Sequence, residues 1–427
     1  MAAGTVITEQ PILDGGISSV AFFNGRLLTG EDLTKEQLAT TEARLRVGRV
    51  LGSGVACGFG VRLEPSGDVT RPVLAITPGR AVNPRGAVLE LPAGVDLALT
   101  RDATPSGSPE AVFTDCTPLQ PGTYIAGAGA YVLTVAPARR GVGRAPVSGL
   151  QNAQAQCNVA YSVEGLQFDL LRIALPASAL AEPDKTRNRV AHLMAGTDTP
   201  ERLAMLADPL APAPARYGML DELVEQGCLT DVQVPLAFLL WTGEDGVVYV
   251  DPWCVRRPLR QPAADRFAGL TGDRVRGDAQ AVFDQFQNHV ADLVADPGTN
   301  AGLAGETAAD RFELLPPVAM VPIRDGASGA GWDPDTFLGT QGSQGLATLD
   351  ADALRELVRD GLDHTPYLVG GGTPVQRYLV WENEVARSIG LSPQRVMVIA
   401  REGLGYRGVA RYGQARFALS RYAPSVT

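Results

Sequence analysis

Glycine and proline interrupt this sequence so often that few segments can form a long unbroken element. The chain has 427 residues, of which 48 are glycine and 31 are proline, and neither recurs at a fixed interval. This pattern does not fit a collagen-like helix and favours many turns between short strands. We therefore expect an α+β fold, in which a β-rich, multi-domain chain of short strands and hairpins carries several interspersed helices.

The size and composition of the chain predict more than one domain. Hydrophobic residues make up 45% of it and charged residues 20%, as in globular proteins with substantial cores. The composition shifts along the chain predict three units. They are an N-terminal attachment domain with a helix and a β-hairpin at 1–110, a β-rich domain at 111–260 with a helical insertion around 176–227, and a mixed helical and β C-terminal domain at 261–427.

The first hundred residues contain the clearest local signals. A helix is predicted from about Glu31 to Arg49, because Thr29 and Asp32 have the spacing of a capping box. A short strand is predicted before it at 20–23, and the sequence VLGSGVACGFGVRLE predicts a pair of strands at 50–64. Two apolar runs that flank residues 83–86, Asn-Pro-Arg-Gly, predict a tight hairpin.

Further elements follow from periodicity and from turn residues. The predictions are a loop at 100–123, strands at 130–136 and 168–175, helices that begin at Thr199 and near Tyr217, a hairpin at 234–253, helices at 278–295 and 350–361, an extended edge strand or covering arm at 312–323, and strands at 378–382 and 395–422.

Charge and cysteine content weigh against several classes of function. The net charge is −10, which gives no whole-chain attraction to nucleic acid. The N-terminus lacks the basic and apolar regions of a signal peptide, so we expect cytoplasmic synthesis, and no apolar run is long enough to span a membrane. The five cysteines are scattered, without a CxxC pair or a histidine at ligand spacing. They are expected to be mostly buried thiols, with no metal or cofactor bound.

Residue patterns typical of enzymes do not form a convincing site. The sequence GLGYRG at 403–408 matches a dinucleotide fingerprint but lies too near the end of the chain for the βαβ unit that this fingerprint needs, so a turn is favoured. His192, His289 and His364 are far apart and belong to no catalytic motif. We predict no catalytic residue and do not expect an enzyme.

Two acidic pairs keep a carbohydrate function open. Asp333 and Asp335 follow Trp332, and the second pair, Glu382 and Glu384, begins directly after Trp381. Paired carboxylates can hydrolyse glycosides, and a tryptophan ring can stack on a sugar. Turn capping and a solvated strand face explain these acids more simply. A carbohydrate-binding or receptor-binding module at a fibre tip, and less so a cell-wall glycoside hydrolase, remain alternatives.

The C-terminal segment is basic in an acidic chain. From Arg395 onward there are six arginines and one acid, interleaved with aromatic residues. Single-stranded nucleic acid could stack on such a segment, but arginine and tyrosine are also enriched at protein interfaces, and the overall acidity favours the latter. The predicted interface residues are Arg407, Arg411, Arg416, Tyr406 and Tyr412.

Three stretches resemble a family of proteins from phage-tail-like contractile injection systems and contractile phage tails. They lie at 22–92, which begins FFNGRLLTGEDLTKEQ, at 234–258, VPLAFLLWT with VYVDPWCVRRP, and at 312–339, FELLPPVAMVPI with WDPDTFLG. The resemblance implies a baseplate-associated or fibre-associated structural protein and transfers no active-site residue. It implies other tail or baseplate subunits as partners, a homo-oligomer, assembly in the cytoplasm, and membrane contact only through the assembled particle.

Overall fold

The fold is α+β, as predicted, and is built from several small sheets with helices between them. The computed structural model describes residues 14–65, 71–99, 128–145, 158–197, 199–200, 218–242, 245–260, 273–324, 329–339, 343–381, 385, 388–391, 395–401 and 404. The predicted loop at 100–123, most of the helix predicted from Thr199, and the predicted strand beyond Arg401 lie outside these residues.

Helices and strands are interspersed along the described chain. In order they are α1 (Gly30–Leu51), β1 (Gly54–Gly58), β2 (Val61–Leu63), β3 (Val73–Ile76), β4 (Gly79–Val82), β5 (Val88–Leu91), β6 (Val95–Ala98), β7 (Gly129–Ala145), β8 (Asn158–Ile173), α2 (Ala177–Leu180), α3 (Pro183–Ala195), α4 (Met219–Glu225), β9 (Val234–Thr242), β10 (Gly246–Asp251), α5 (Asp273–Ala295), α6 (Pro297–Gly302), a 3-10 turn (Leu303–Gly305), α7 (Ala308–Arg311), β11 (Leu314–Leu315), β12 (Val318–Pro322), β13 (Ser343–Asp350), α8 (Ala351–Gly361), β14 (Tyr367–Leu368), β15 (Val375–Trp381) and β16 (Val396–Arg401).

The predicted hairpin at residues 83–86 is confirmed as the β4–β5 turn. Val82 lies opposite Val88, and the Asn83 side-chain oxygen accepts a hydrogen bond from the Ala87 amide at 2.8 Å. Asn83 also donates to the Val232 carbonyl at 3.0 Å, which fastens the turn to the start of β9. The asparagine thus closes the turn and also holds it against the next sheet.

Two N-terminal predictions need correction. The two strands predicted at 50–64 are formed as β1 and β2 but do not pair with each other, because β1 joins the sheet β1-β4-β5 and β2 joins the sheet β2-β3-β6. The chain crosses between the two sheets at Gly58 and Phe59, which both have positive φ, and Arg256 donates to both of their carbonyls. The strand predicted at 20–23 is not formed, and those residues are extended without a strand partner among the described residues.

The central sheet has the order β10-β9-β7-β8 and packs on both faces. The predicted hairpin at 234–253 is confirmed as β9 and β10, with β9 almost wholly buried. One face packs against the two N-terminal sheets, with Phe59 and Leu74 contributing from those sheets and Leu236 from β9. The other face is covered by α3 and α4. The hydrophobic core between the central sheet and the N-terminal sheets therefore contains residues from both sides of the domain boundary predicted near residue 110.

The C-terminal sheet has the order β12-β16-β15-β13. The segment predicted as an edge strand or covering arm, 312–323, supplies the edge strand β12, which confirms the edge position. Helix α5 packs on one face through Phe286, and α8 packs on the other through Leu357. Along the chain, helix α8 follows β13 and precedes β15, and these two strands are parallel. The three elements therefore form a βαβ unit, which was not predicted from the sequence.

Candidate assembly surfaces

Helix α1 is the most exposed long element of the described chain. Its start follows the prediction, because the Thr29 side chain accepts from the Asp32 amide at 3.1 Å while Asp32 accepts from the Thr29 amide at 3.0 Å. These bonds from Thr29, together with Arg26, hold the pKa of Asp32 below its ordinary value, so the carboxylate is charged at the positive end of the helix dipole. A well-capped helix of 22 residues extends about 33 Å.

Only the last turns of α1 are tightly fixed to the rest of the fold. A Cβ atom on Gly48 would lie 1.9 Å from the Gly86 carbonyl oxygen, so the helix and the β4–β5 turn touch backbone to backbone. Arg49 donates to the Arg85 carbonyl at 3.2 Å. Of all the residues of α1, only Ala39 and Gly48 are buried. The helix therefore stands largely free of the described fold beyond this contact.

The segment before α1 runs back along the helix. Glu36 accepts from the Val20 amide at 3.1 Å, and Arg46 donates to the Gly15 carbonyl at 2.5 Å. Val20 is buried there, while Phe22 and Phe23 are exposed. The short apolar run that predicted a strand thus lies along a helix instead of pairing within a sheet.

The two segments together present a large apolar area to solvent. Leu27 is 91% exposed and Leu38 is 62% exposed. Leu33, Val47 and Val50 fall within one sector of α1 by the helical repeat, and all three are exposed. We call the set the N-terminal apolar surface; it comprises Ile17, Phe22, Phe23, Leu27, Leu28, Leu33, Leu38, Val47, Val50 and Leu51.

A second projecting element is the hairpin of β7 and β8. The sequence predicted strands at 130–136 and 168–175, but the two strands continue to Ala145 and Asn158. Strand β9 pairs with β7 only as far as Val135, so the outer half of the hairpin has no neighbouring strand among the described residues. Val142, Tyr161 and Val163 on this half are exposed, with Tyr161 at 73%. The sequence signal that was missed is the alternation of Val159, Tyr161 and Val163.

The predicted interface and sugar-stacking residues have different outcomes. Arg407, Arg411, Arg416, Tyr406 and Tyr412 lie outside the described residues, and their role stays a prediction. Trp332 is 0% exposed and meets Phe337 edge to face at 5.4 Å, so the sugar-stacking hypothesis is wrong for this residue. Trp381 is half-buried and donates from Nε1 to the Leu391 carbonyl at 2.7 Å; its stacking role stays a prediction.

The first acidic pair acts locally in the described fold. Asp333 accepts from the amides of Asp335 and Thr336, both at 2.9 Å, which is the turn-capping arrangement expected from its sequence. Asp335 pairs with Arg377 at 2.9 Å. The other pair, Glu382 and Glu384, lies outside the described residues.

Burial shifts the pKa of several described histidine and cysteine side chains. His192 and His289 are both buried, and burial lowers the pKa of His192 to about 3. Burial also raises the pKa of the Cys254 thiol, which keeps it protonated. Cys57 and Cys228 are exposed, so the prediction of mostly buried thiols was wrong for two of the three described cysteines.

Arg187 lies at the centre of a largely buried polar network. It donates to Asp251 and Asp292, each at 2.7 Å, and to Asn288 at 3.0 Å. Asp251 also accepts from Gln285 at 3.0 Å and from the backbone amides after β10. These contacts join α3 to β10 and α5, so the network links the central sheet to the C-terminal half of the fold.

Neither a metal-ligand cluster nor a membrane-spanning helix is found among the described residues. Among them, no three His, Cys, Asp or Glu side chains are grouped to hold a metal ion. None of the described helices is both long and apolar enough to cross a membrane. In comparisons with known proteins, no family model and no curated protein matches the sequence.

Proposed function

We propose that this chain is a structural component of a contractile, phage-tail-like particle, associated with its baseplate or tail fibres. It acts through protein–protein interfaces and not through catalysis. Its partners are other tail or baseplate subunits and further copies of itself, and it is made and assembled in the cytoplasm. The observation that carries this proposal is the N-terminal apolar surface, which leaves ten apolar side chains exposed on one projecting part of the molecule.

An exposed apolar area of this kind is typical of a surface that binds a protein partner. Monomeric soluble proteins seldom leave large contiguous apolar patches in water, because covering such a patch is favourable by about 25 cal/mol per Å². Its sequence, FFNGRLLTGEDLTKEQ, is also part of the stretch that resembles contractile-tail proteins. The exposed apolar side chains and the resemblance therefore favour the same part of the chain as the attachment region.

The alternative of a sugar-binding module has less support. Of the two tryptophans on which it depended, Trp332 is fully buried. The first acidic pair is engaged in a turn and in an ion pair with Arg377. Trp381 and the second acidic pair, which lies outside the described residues, keep that alternative open.

A paired set of double variants tests the attachment region. Leu33→Asp with Val47→Asp places two charges on the N-terminal apolar surface, at side chains that are 52% and 63% exposed. The control is Leu368→Asp with Val385→Asp, at side chains that are 54% and 65% exposed elsewhere. We expect the first variant to remain folded but to be lost from sedimented particles, and the control to be incorporated normally. Equal incorporation of both variants would count against the proposed attachment region.

A further inference from the structure

Strand β8 forms one edge of the central sheet along its whole length. It pairs with β7 from Ile173 to Asn158, and no other described strand pairs with it. Its 16 residues contain neither proline nor lysine, two residues that commonly protect an edge strand from pairing with another chain. Within the part of the chain that the structure describes, the edge is therefore open to another strand.

The backbone groups of alternate residues on β8 face away from the sheet. The Asp169 carbonyl faces β7, where Thr134 Oγ1 donates to it at 3.4 Å. Because backbone groups on a strand alternate in direction, those of Leu166, Phe168 and Leu170 face outward. None of the described turn, loop or cap hydrogen bonds involves these outward groups.

We propose that β8 of a second copy of this chain pairs antiparallel with this edge, about a twofold axis at Phe168. In this register, Glu164 of each copy lies opposite Arg172 of the other. Both side chains are exposed and lie on the same face of the strand. The pairing extends from Val163 to Ile173 and joins the two central sheets into one continuous sheet.

The charges on β8 select this register. A twofold axis at Glu164 or at Asp169 would place a carboxylate directly opposite its own copy, which is destabilising. With the axis at Phe168, Asp169, which already accepts from Gln167 of its own copy at 2.6 Å, instead lies opposite the neutral Gln167 of the other copy, and Leu166 lies opposite Leu170. Glu164 already pairs with Arg139 at 2.7 Å, so Arg172 of the second copy completes an alternating row of three charges.

The dimer rests on the proposed function, whose partners include further copies of this chain, and it specifies how two copies pair without any particle subunit. Sedimentation velocity of the purified protein measures it directly. Glu164→Arg and Arg172→Glu each bring like charges together twice per dimer, and each is expected to weaken dimerisation on the order of tenfold. The double variant restores opposite charges between the two copies, although Glu164→Arg still opposes Arg139 within each copy, so it is expected to dimerise more tightly than either single variant.

Two controls distinguish an effect at the β8 edge from a general effect of changing charge. Asp352→Arg changes an exposed charge on α8 and is expected to leave dimerisation unchanged. Leu33→Asp with Val47→Asp alters the N-terminal apolar surface and is also expected to leave it unchanged, so loss of particle incorporation and loss of dimerisation are distinguished. A monomeric parent chain, or a double variant as weak as the single ones, would overturn the proposal.

Cysteine cross-linking tests the register independently. Gln167→Cys with Asp169→Cys places two thiols directly opposite each other twice in the proposed dimer, within the reach of a disulfide. We expect oxidation to produce a covalent dimer, in which peptide mass spectrometry finds residue 167 joined to residue 169. Absence of this cross-link, with the variant still folded, would rule out the axis at Phe168.

Discussion

Arg187 is the clearest case of a single buried charge that is compensated by its neighbours. Its side chain is almost fully buried and is held by two carboxylates and one amide. Asp251, one of those carboxylates, is 0% exposed, so it would remain as an uncompensated buried charge if the guanidinium were removed. Loss of this one side chain therefore affects three elements.

Replacing Arg187 with methionine is expected to lower the free energy of unfolding by about 3–5 kcal/mol. The matched control is Arg276→Met, which removes an exposed ion pair with Asp363 at 2.7 Å and is expected to cost about 1 kcal/mol or less. Urea unfolding followed by circular dichroism measures both. Equal effects of the two substitutions would contradict a central role for the buried network.

His192 predicts how stability changes with pH. Burial lowers its pKa from 6.5 to about 3, so the folded chain keeps the imidazole neutral while the unfolded chain protonates it. Because the unfolded state binds the extra proton, this residue contributes full stability above about pH 6.5 and progressively less down to about pH 3.

A His192→Gln variant is therefore expected to lose stability less steeply than the parent chain between pH 6.5 and pH 3. The measurement is the midpoint of urea unfolding at several pH values in that range. The quantity compared is the slope of this midpoint against pH, which does not depend on how much stability the substitution itself costs. Identical slopes would show that protonation of His192 does not contribute to the pH dependence of stability.

At the scale of elements, the junction between α1 and the β4–β5 turn depends on two glycines. Gly86 has a φ of +89°, and a Cβ atom there would lie 2.0 Å from the Leu45 carbonyl oxygen. Gly86→Ala should therefore separate the helix from the turn as well as strain the backbone. Since this is the tightest contact that holds α1, protease cleavage within α1 should become faster.

Gly372→Ala is the control for that prediction. Gly372 has a similar φ of +77°, but no atom lies within 4 Å of the added Cβ. It reproduces the backbone strain without the clash. Limited proteolysis of both variants, with the cleavage sites mapped by mass spectrometry, is expected to show faster cleavage in α1 for Gly86→Ala only.

Elements with strong local signals were predicted well, and elements fixed by distant contacts were not. The capping box at Thr29 and the turn at Asn83 are set by residues within a few positions, and both were found from sequence. The separation of β1 from β2 depends on Arg256, about 200 residues away. The sequence pattern within a short window contains no information on so distant a partner.

The same limit applied to the candidate surfaces. The outer half of the β7–β8 hairpin is long because its two strands pair with each other, which a prediction of either strand alone does not show. The exposure of the apolar residues on α1 could not be predicted from the sequence, because it depends on which described elements pack against the helix. Trp332 could not be recognised as buried, because Phe337 and the sheet that enclose it are brought together by the tertiary structure.

At the scale of the whole molecule, buried networks join the parts while projecting elements reach outward. Arg187 links the central sheet to α5, and Asn188 binds the backbone of Glu313 and Leu314 at 2.9 and 3.0 Å. The N-terminal apolar surface and the outer β7–β8 hairpin extend beyond these cores. Exposed apolar elements on a well-connected fold suit a subunit that joins several neighbours.

The central claim, that the chain is an assembly component, is tested most directly by the composition of particles from its native host. High-molecular-mass particles are sedimented, their proteins are quantified by mass spectrometry, and the same fraction is examined by negative-stain electron microscopy. The account predicts that the chain is present at a fixed ratio to sheath and tube subunits in contractile, tail-like particles. Finding the chain only as a free small oligomer, in a fraction that contains such particles without it, would contradict the account.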